Sequence, residues 1–251
     1  MSNMFENPFI SESKKAKKSL FKKGADFGGP RLSKKQIIAI EKIQVPNYGP
    51  LYIEKSQLSF LKQLEKSLIK GYNFPPSAQH EKLAQGIILK ILKKPGVVDD
   101  EGHILKIEFA GIDISDLEFS GEDLPYIKEL RFKNIPPNKI SNIGDLSTLE
   151  TYFYSADWGD FPQDIGQLKK LKKLIFNVKF RMRGRIPEDI FKLTELEEIG
   201  LGGANIAALG FDINKISQFK KLKILRLHNC GYAEEDKEAI LKINPKLEVI
   251  I

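Results

Sequence analysis

The chain has 251 residues, 41% hydrophobic and 29% charged, enough to bury a sizeable core in one extended domain or two small ones. No stretch approaches the roughly 20 consecutive apolar residues of a membrane-spanning helix, and the polar start, Met1 to Lys18, lacks the apolar segment of a secretory signal, so the expected location is cytoplasmic. The single cysteine, Cys230, excludes an intrachain disulfide framework and any CxxC zinc or redox motif.

The formal net charge of +7 is concentrated at one end: residues 1–40 hold nine Lys and Arg against three Asp and Glu, a balance of +6, while 41–251 carry only +1. Residues 1–40 therefore read as a basic tail, expected to be disordered because few apolar side chains offset the entropy of ordering it. Phe5, Phe9, Phe21 and Phe27 complicate that reading. Three roles stay open for the tail: solubility, docking back onto the folded part, and binding an anionic membrane or nucleic acid through Lys14, Lys15, Lys17, Lys18, Lys22 and Lys23.

Residues 41–100 read as a helical cap region. A short strand is expected around Ile43–Val45 and Leu51–Ile53, broken by the turn-like 46–50. A first helix then follows, with Ser56 as N-cap, an apolar stripe of Leu58, Leu61, Leu64 and Leu68, and Gly71 past its end. A second helix opens near Ser77, turns Leu83, Ile87, Ile88, Ile91 and Leu92 inward, and stops at Lys93-Lys94-Pro95-Gly96. Such stripes must be buried, and the nearest open apolar surface is the end of whatever follows.

From Ile104 onward apolar residues recur at i, i+3 and i+5. The registers are Ile104, Ile107, Phe109; Ile127, Leu130, Phe132; Leu149, Tyr152, Tyr154; Leu171, Leu174, Phe176; Leu196, Ile199, Leu201; and Leu222, Leu225, Leu227, with a truncated seventh at Leu247 and Ile250. Successive starts differ by 23, 22, 22, 25 and 26 residues. A second pattern shares the period, as Phe161-Pro162, Ile165, Leu168, Leu171 and again as Ile186-Pro187, Ile190, Leu193, Leu196, with weaker copies at Ile140, Ile143, Leu146, Leu149 and at Ile213, Ile216, Phe219, Leu222.

These spacings resemble the leucine-rich-repeat family, whose repeats run about 20 to 29 residues, and Gly184-Arg185-Ile186-Pro187 is similar to the Gly-x-Ile-Pro form of plant-type and many prokaryotic members. The resemblance covers about 104–251 and implies an α/β class solenoid, with a parallel concave sheet and a helical N-terminal cap. It departs from the family at the usual asparagine ladder, where Ile112, Ile135, Asp157, Lys179, Ala204 and Cys230 stand, so irregular turns after the strands are expected. Residues 101–251 are thus the expected solenoid, closed by a helical 234–243 and by 247–251.

Side chains between the core positions point out of the concave sheet. Their middle positions are Glu108, Arg131, Phe153, Ile175, Gly200 and Arg226, an apolar centre flanked by arginines that suits a protein interface. The candidate partner-binding residues are Arg131, Lys133, Phe153, Ser155, Ile175, Asn177, Arg226 and His228; the alternative is that Phe153 and Ile175 simply pair across strands. Lys179, Arg181, Arg183 and Arg185 read as a basic loop or as local charge pairs with Asp157 and Asp160, and Trp158 as a partner anchor or as packing against Phe180.

Catalysis finds little support. His80, His103 and His228 are scattered, no HExxH, GxSxG or phosphate-cradling loop occurs, and Cys230 falls on a core-facing repeat position. The expectation is a non-catalytic protein-interaction scaffold without cofactor, metal or small-molecule substrate, with a protein partner on the concave face. The alternative is tail-directed binding to an anionic membrane or nucleic acid, with the repeats as adaptor.

Overall fold

The structure, a computed structural model, describes residues 40–43, 51–71, 78–114, 116–135, 142–203 and 205–251. Residues 1–39 of the basic tail, including the six lysines named above, and Val45, Ser77, Ile140 and Ala204 lie outside the described residues.

Strand β1 (Ile40–Ile43) pairs antiparallel with β2 (Leu51–Glu54), and helices α1 (Leu58–Gly71) and α2 (Ala78–Leu92) follow. Helix α1 forms because Phe60, Leu61, Leu64 and Leu68 recur at helical spacing, and all four are buried. A 3-10 turn at Lys55–Gln57 precedes it, and the Ser56 hydroxyl, the expected cap, donates to the Glu54 carboxylate at 2.8 Å. In α2 the inward stripe is Ala84, Ile88, Ile91 and Leu92. Leu83, expected inside, is 48% exposed, because it sits one residue, about 100°, round from Ala84 on the helix.

Seven strands then form one parallel sheet in chain order: β3 (Lys106–Ala110), β4 (Glu129–Lys133), β5 (Thr151–Asp160), β6 (Lys173–Arg183), β7 (Glu198–Gly202), β8 (Ile224–His228) and β9 (Glu248–Ile250). All eighteen residues of the six full registers are buried, and those that lie on strands pair with one another across neighbouring coils. Short 3-10 turns at Ile143–Asp145, Ile165–Gln167, Glu188–Lys192 and Ile213–Gln218 make the returns, directing Ile165, Leu168, Ile190, Leu193 and Ile216 under the sheet. Neither a strand nor its return covers itself, so each coil buries its neighbour. Aromatic contacts thread the stack, from Phe60 and Phe119 (6.1 Å between ring centres) through Phe109 and Phe132 (5.6 Å) to Tyr154 and Phe176 (4.6 Å).

The seventh register differs from expectation by one residue. Val249 pairs with Leu225 and is buried beside Leu247, whereas Ile250 pairs with the outward Arg226. The preceding return is here an α-helix, α3 (Glu234–Ile243), and Leu247 enters the core directly from the turn that follows it, leaving one residue before the strand's first inward position.

Cap and stack are joined by a polar clamp. Gln57 is fully buried; its side-chain amide donates to the Gly102 carbonyl at 3.1 Å and its oxygen accepts from the Ile104 N–H at 2.8 Å, so a buried amide that would otherwise be costly is satisfied at both ends. Ser59 and Gln63 of α1 add hydrogen bonds to Asp123.

Candidate functional site

Where each strand ends is set by one residue. Gly111, Asn134, Gly203 and Asn229 follow β3, β4, β7 and β8 at one aligned position, and all four adopt the left-handed backbone, with φ of 64°, 47°, 82° and 52°. Glycine and asparagine reach that region cheaply, so the chain turns away from the sheet. The same position in the two central coils holds Ala156 and Val178, which resist it; both are buried and continue the ladder as a pair. Strands β5 and β6 therefore run on for about five residues beyond their neighbours, with Trp158, Gly159 and Asp160 opposite Arg181, Met182 and Arg183.

A register shift between Ala156 and Trp158 sets two residues of β6, Lys179 and Phe180, against Asp157. The resulting ribbon is fixed to the core. Tyr154 Oη donates to the Trp158 carbonyl at 2.7 Å, and the Tyr154 ring lies so close beneath Gly159 that a β-carbon there would meet it at 2.4 Å. Burial pushes the Tyr154 hydroxyl pKa up to about 12. At the surface Trp158 (38% exposed) and Phe180 (57%) lean on one another, 5.7 Å between ring centres, and the Lys179 ammonium sits 4.9 Å from the Phe180 centre. Lys179, Arg181 and Arg183 are thus strand residues rather than a loop, and only Arg185 lies in the turn after Gly184. Lys179 and Arg185 form no ion pair with described residues, so the expected local pairing with Asp157 and Asp160 is not observed for them.

On the concave face Glu108, Arg131, Phe153, Ile175, Gly200 and Arg226 lie in one row across the sheet. Its ends neutralise themselves. Lys133 and Lys94 reach Glu108 at 2.9 and 3.3 Å, while Glu129 takes Lys106 at 3.1 Å and Arg131. The hydrogen bond from Lys133 holds the Glu108 carboxyl below its usual pKa against the opposing effect of burial. At the other end Glu198 is held by Lys173 at 2.5 Å and Arg226 at 2.9 Å; burial raises its pKa, but the two cations outweigh that and leave it low.

Between these clusters the surface is uncharged, formed by Thr151, Phe153, Ser155 and Asn177, with Ile175 and Asn177 lying over the buried Gly200 and Gly202. The expected apolar centre is narrower than its sequence suggested. Ile175 is only 5% exposed, because it lies across Gly200, where a β-carbon would come 2.7 Å from its Cδ1. Phe153 stays partly exposed beneath the Arg131 guanidinium, 5.1 Å from its ring centre, and the Lys133 ammonium, 5.9 Å away. Ser155 and Asn177 are half-buried beside it, and His228 is exposed at the rim.

Cys230 is buried, its thiol 2.7 Å from the Leu201 carbonyl of the preceding coil. Six inward triplets at a spacing of 22 to 26 residues, one parallel ladder and return segments tucked beneath it decide the architecture. The chain folds as a solenoid whose coils repeat with the spacing of leucine-rich repeats. A solved structure, that of an LRR protein of Leptospira interrogans, is similar to 59% of this solenoid chain and to 37% of its own length, at 22% identity and a TM-score of 0.38. No family model matches the chain, and no curated protein does. Among the described residues of the solenoid no cluster of His, Cys, Asp or Glu could hold a metal ion, and no helix is long and apolar enough to cross a membrane.

Sequence reasoning missed the Gln57 clamp and the ribbon. The clamp has no sequence signature, since a glutamine before an amphipathic helix is ordinary. The ribbon does have one: Ala156 and Val178 stand where the other aligned coils carry Gly or Asn.

Proposed function

We propose that the protein is a non-catalytic interaction scaffold that grips a protein partner at the centre of its concave sheet. The observation that supports this is the uncharged strip around Phe153, Ser155 and Asn177, bounded on both sides by ion-paired clusters. Such a layout lets a partner bury the centre without stripping water from unpaired charges, and leaves Arg131, Lys133, Arg226 and His228 as a polar rim that fixes orientation.

Phe153→Asp tests the reading. The substituted side chain is outward and partly exposed, so the variant should remain folded by circular dichroism while losing its partner in affinity capture. A folded variant that retains the same partner in the same yield contradicts the concave site.

A further inference from the structure

We infer that the ribbon formed by the extensions of β5 and β6 is a second interaction surface, built to take an acidic segment of a protein partner carrying an apolar side chain beside its carboxylates. This inference does not depend on the concave reading. Three observations carry it. Trp158 and Phe180 are exposed aromatics in contact with one another, the pairing of large rings and cations in which interface energy concentrates. Lys179 and Arg185, both exposed, are cations that no described residue neutralises. The ribbon is also held in place before any partner arrives, by ladder pairing, by the Tyr154 hydroxyl on the Trp158 carbonyl at 2.7 Å, and by the Tyr154 ring under Gly159, so little conformational freedom is left to lose on binding.

The same features argue against a nucleic acid strand. Asp157 and Asp160 flank Trp158 on β5 and would repel a continuous phosphate backbone, whereas a peptide can space its carboxylates to meet the β6 side alone. The two rings are tilted by 43° and Lys179 already covers one face of Phe180, which leaves no parallel pair of ring faces for successive bases.

Trp158 is the sole tryptophan, so its intrinsic emission reports directly on this surface. The test titrates the full chain with three probes: a short peptide of Glu, Leu and Phe, its counterpart with Lys for Glu, and oligodeoxythymidine. The expected result is a saturable shift of Trp158 emission with the Glu peptide alone. Binding should weaken about tenfold or more in Phe180→Ala and in the double variant Lys179→Ser/Arg185→Ser, and should be unchanged in the charge-matched control Lys170→Ser/Lys246→Ser. Phe180 is mostly exposed, so its removal should leave the fold intact by circular dichroism, and the double variant provides an independent check. The inference is overturned if the Glu peptide gives no saturable shift, if oligodeoxythymidine or the Lys peptide binds more tightly, or if both variants bind as well as the parent chain.

Discussion

Replacing Gly203 by alanine separates two costs that the solenoid's turns impose. At φ +82° an alanine is strained by about 1–2 kcal/mol. Its β-carbon would also fall 1.4 Å from the Val178 carbonyl oxygen, so β7 must shift from β6, at the roughly 1–3 kcal/mol typical of overpacking. That shift would loosen the Gly203 N–H bond to the His228 carbonyl, now 3.0 Å, worth about 1 kcal/mol. The expected total is about 3–6 kcal/mol. Gly111→Ala is the control: φ is +64°, nothing lies within 4 Å of the added carbon, and only the strain of about 1–2 kcal/mol applies. Urea unfolding followed by circular dichroism, with midpoints compared at equal slope, reads the difference. A Gly203→Ala protein no less stable than Gly111→Ala would refute the close coil-to-coil approach on which this account of the turns rests.

Tyr154→Phe should cost about 1 kcal/mol by removing the hydroxyl that holds the Trp158 carbonyl, and amide exchange should rise in 157–160 but not in β8. Because the folded Tyr154 pKa is raised to about 12, the unfolded chain loses its proton first as pH climbs past about 10; stability is intact below that and falls towards pH 12, and Tyr154→Phe should shrink the fall. Tyr126, Tyr152 and Tyr232, also raised by burial, contribute to the remainder. Glu198 is shifted the other way, so its contribution is present at neutral pH and is lost as pH drops through its lowered pKa; Glu198→Gln should cost about 1 kcal/mol at pH 7 and nothing in strong acid. The Cys230 thiol, buried against Leu201, should resist a thiol-specific reagent until the chain unfolds, and reaction at the rate of a free thiol in the native state would contradict its placement.

The stack was legible because a repeat writes the same instruction many times. Each inward triplet and each apolar-Pro return supports its neighbours, so single departures such as the missing Pro before Ile213 do not obscure the period. The ends were less legible, since they depend on contacts made once: Leu83 and Ile87 fit a helical stripe that α2 turns partly outward, and a residue-wide offset after α3 moved the last register from Ile250 to Val249. For the candidate site, the row from Glu108 to Arg226 followed from strand parity, but burial did not. Ile175 is covered because its neighbour at position 200 is glycine and lets it lie flat, a consequence of one absent side chain that alternation alone does not reveal. The ribbon escaped notice because the family's asparagine position drew attention away from the residue before it, where Ala156 and Val178 forbid the turn.

The central claim is that partners bind at the middle of the concave sheet, and site-specific photo-cross-linking tests it most directly. A photoreactive residue at Ser155, on the uncharged strip, is compared with one at Lys223, which lies outside the strands and pairs with Glu197 at 2.5 Å on the solenoid's edge. The account predicts that irradiation in a native cell lysate yields one discrete protein adduct from position 155, abolished by Phe153→Asp, and none from position 223. Adducts from position 223 alone, or an adduct at 155 that survives Phe153→Asp, would contradict it.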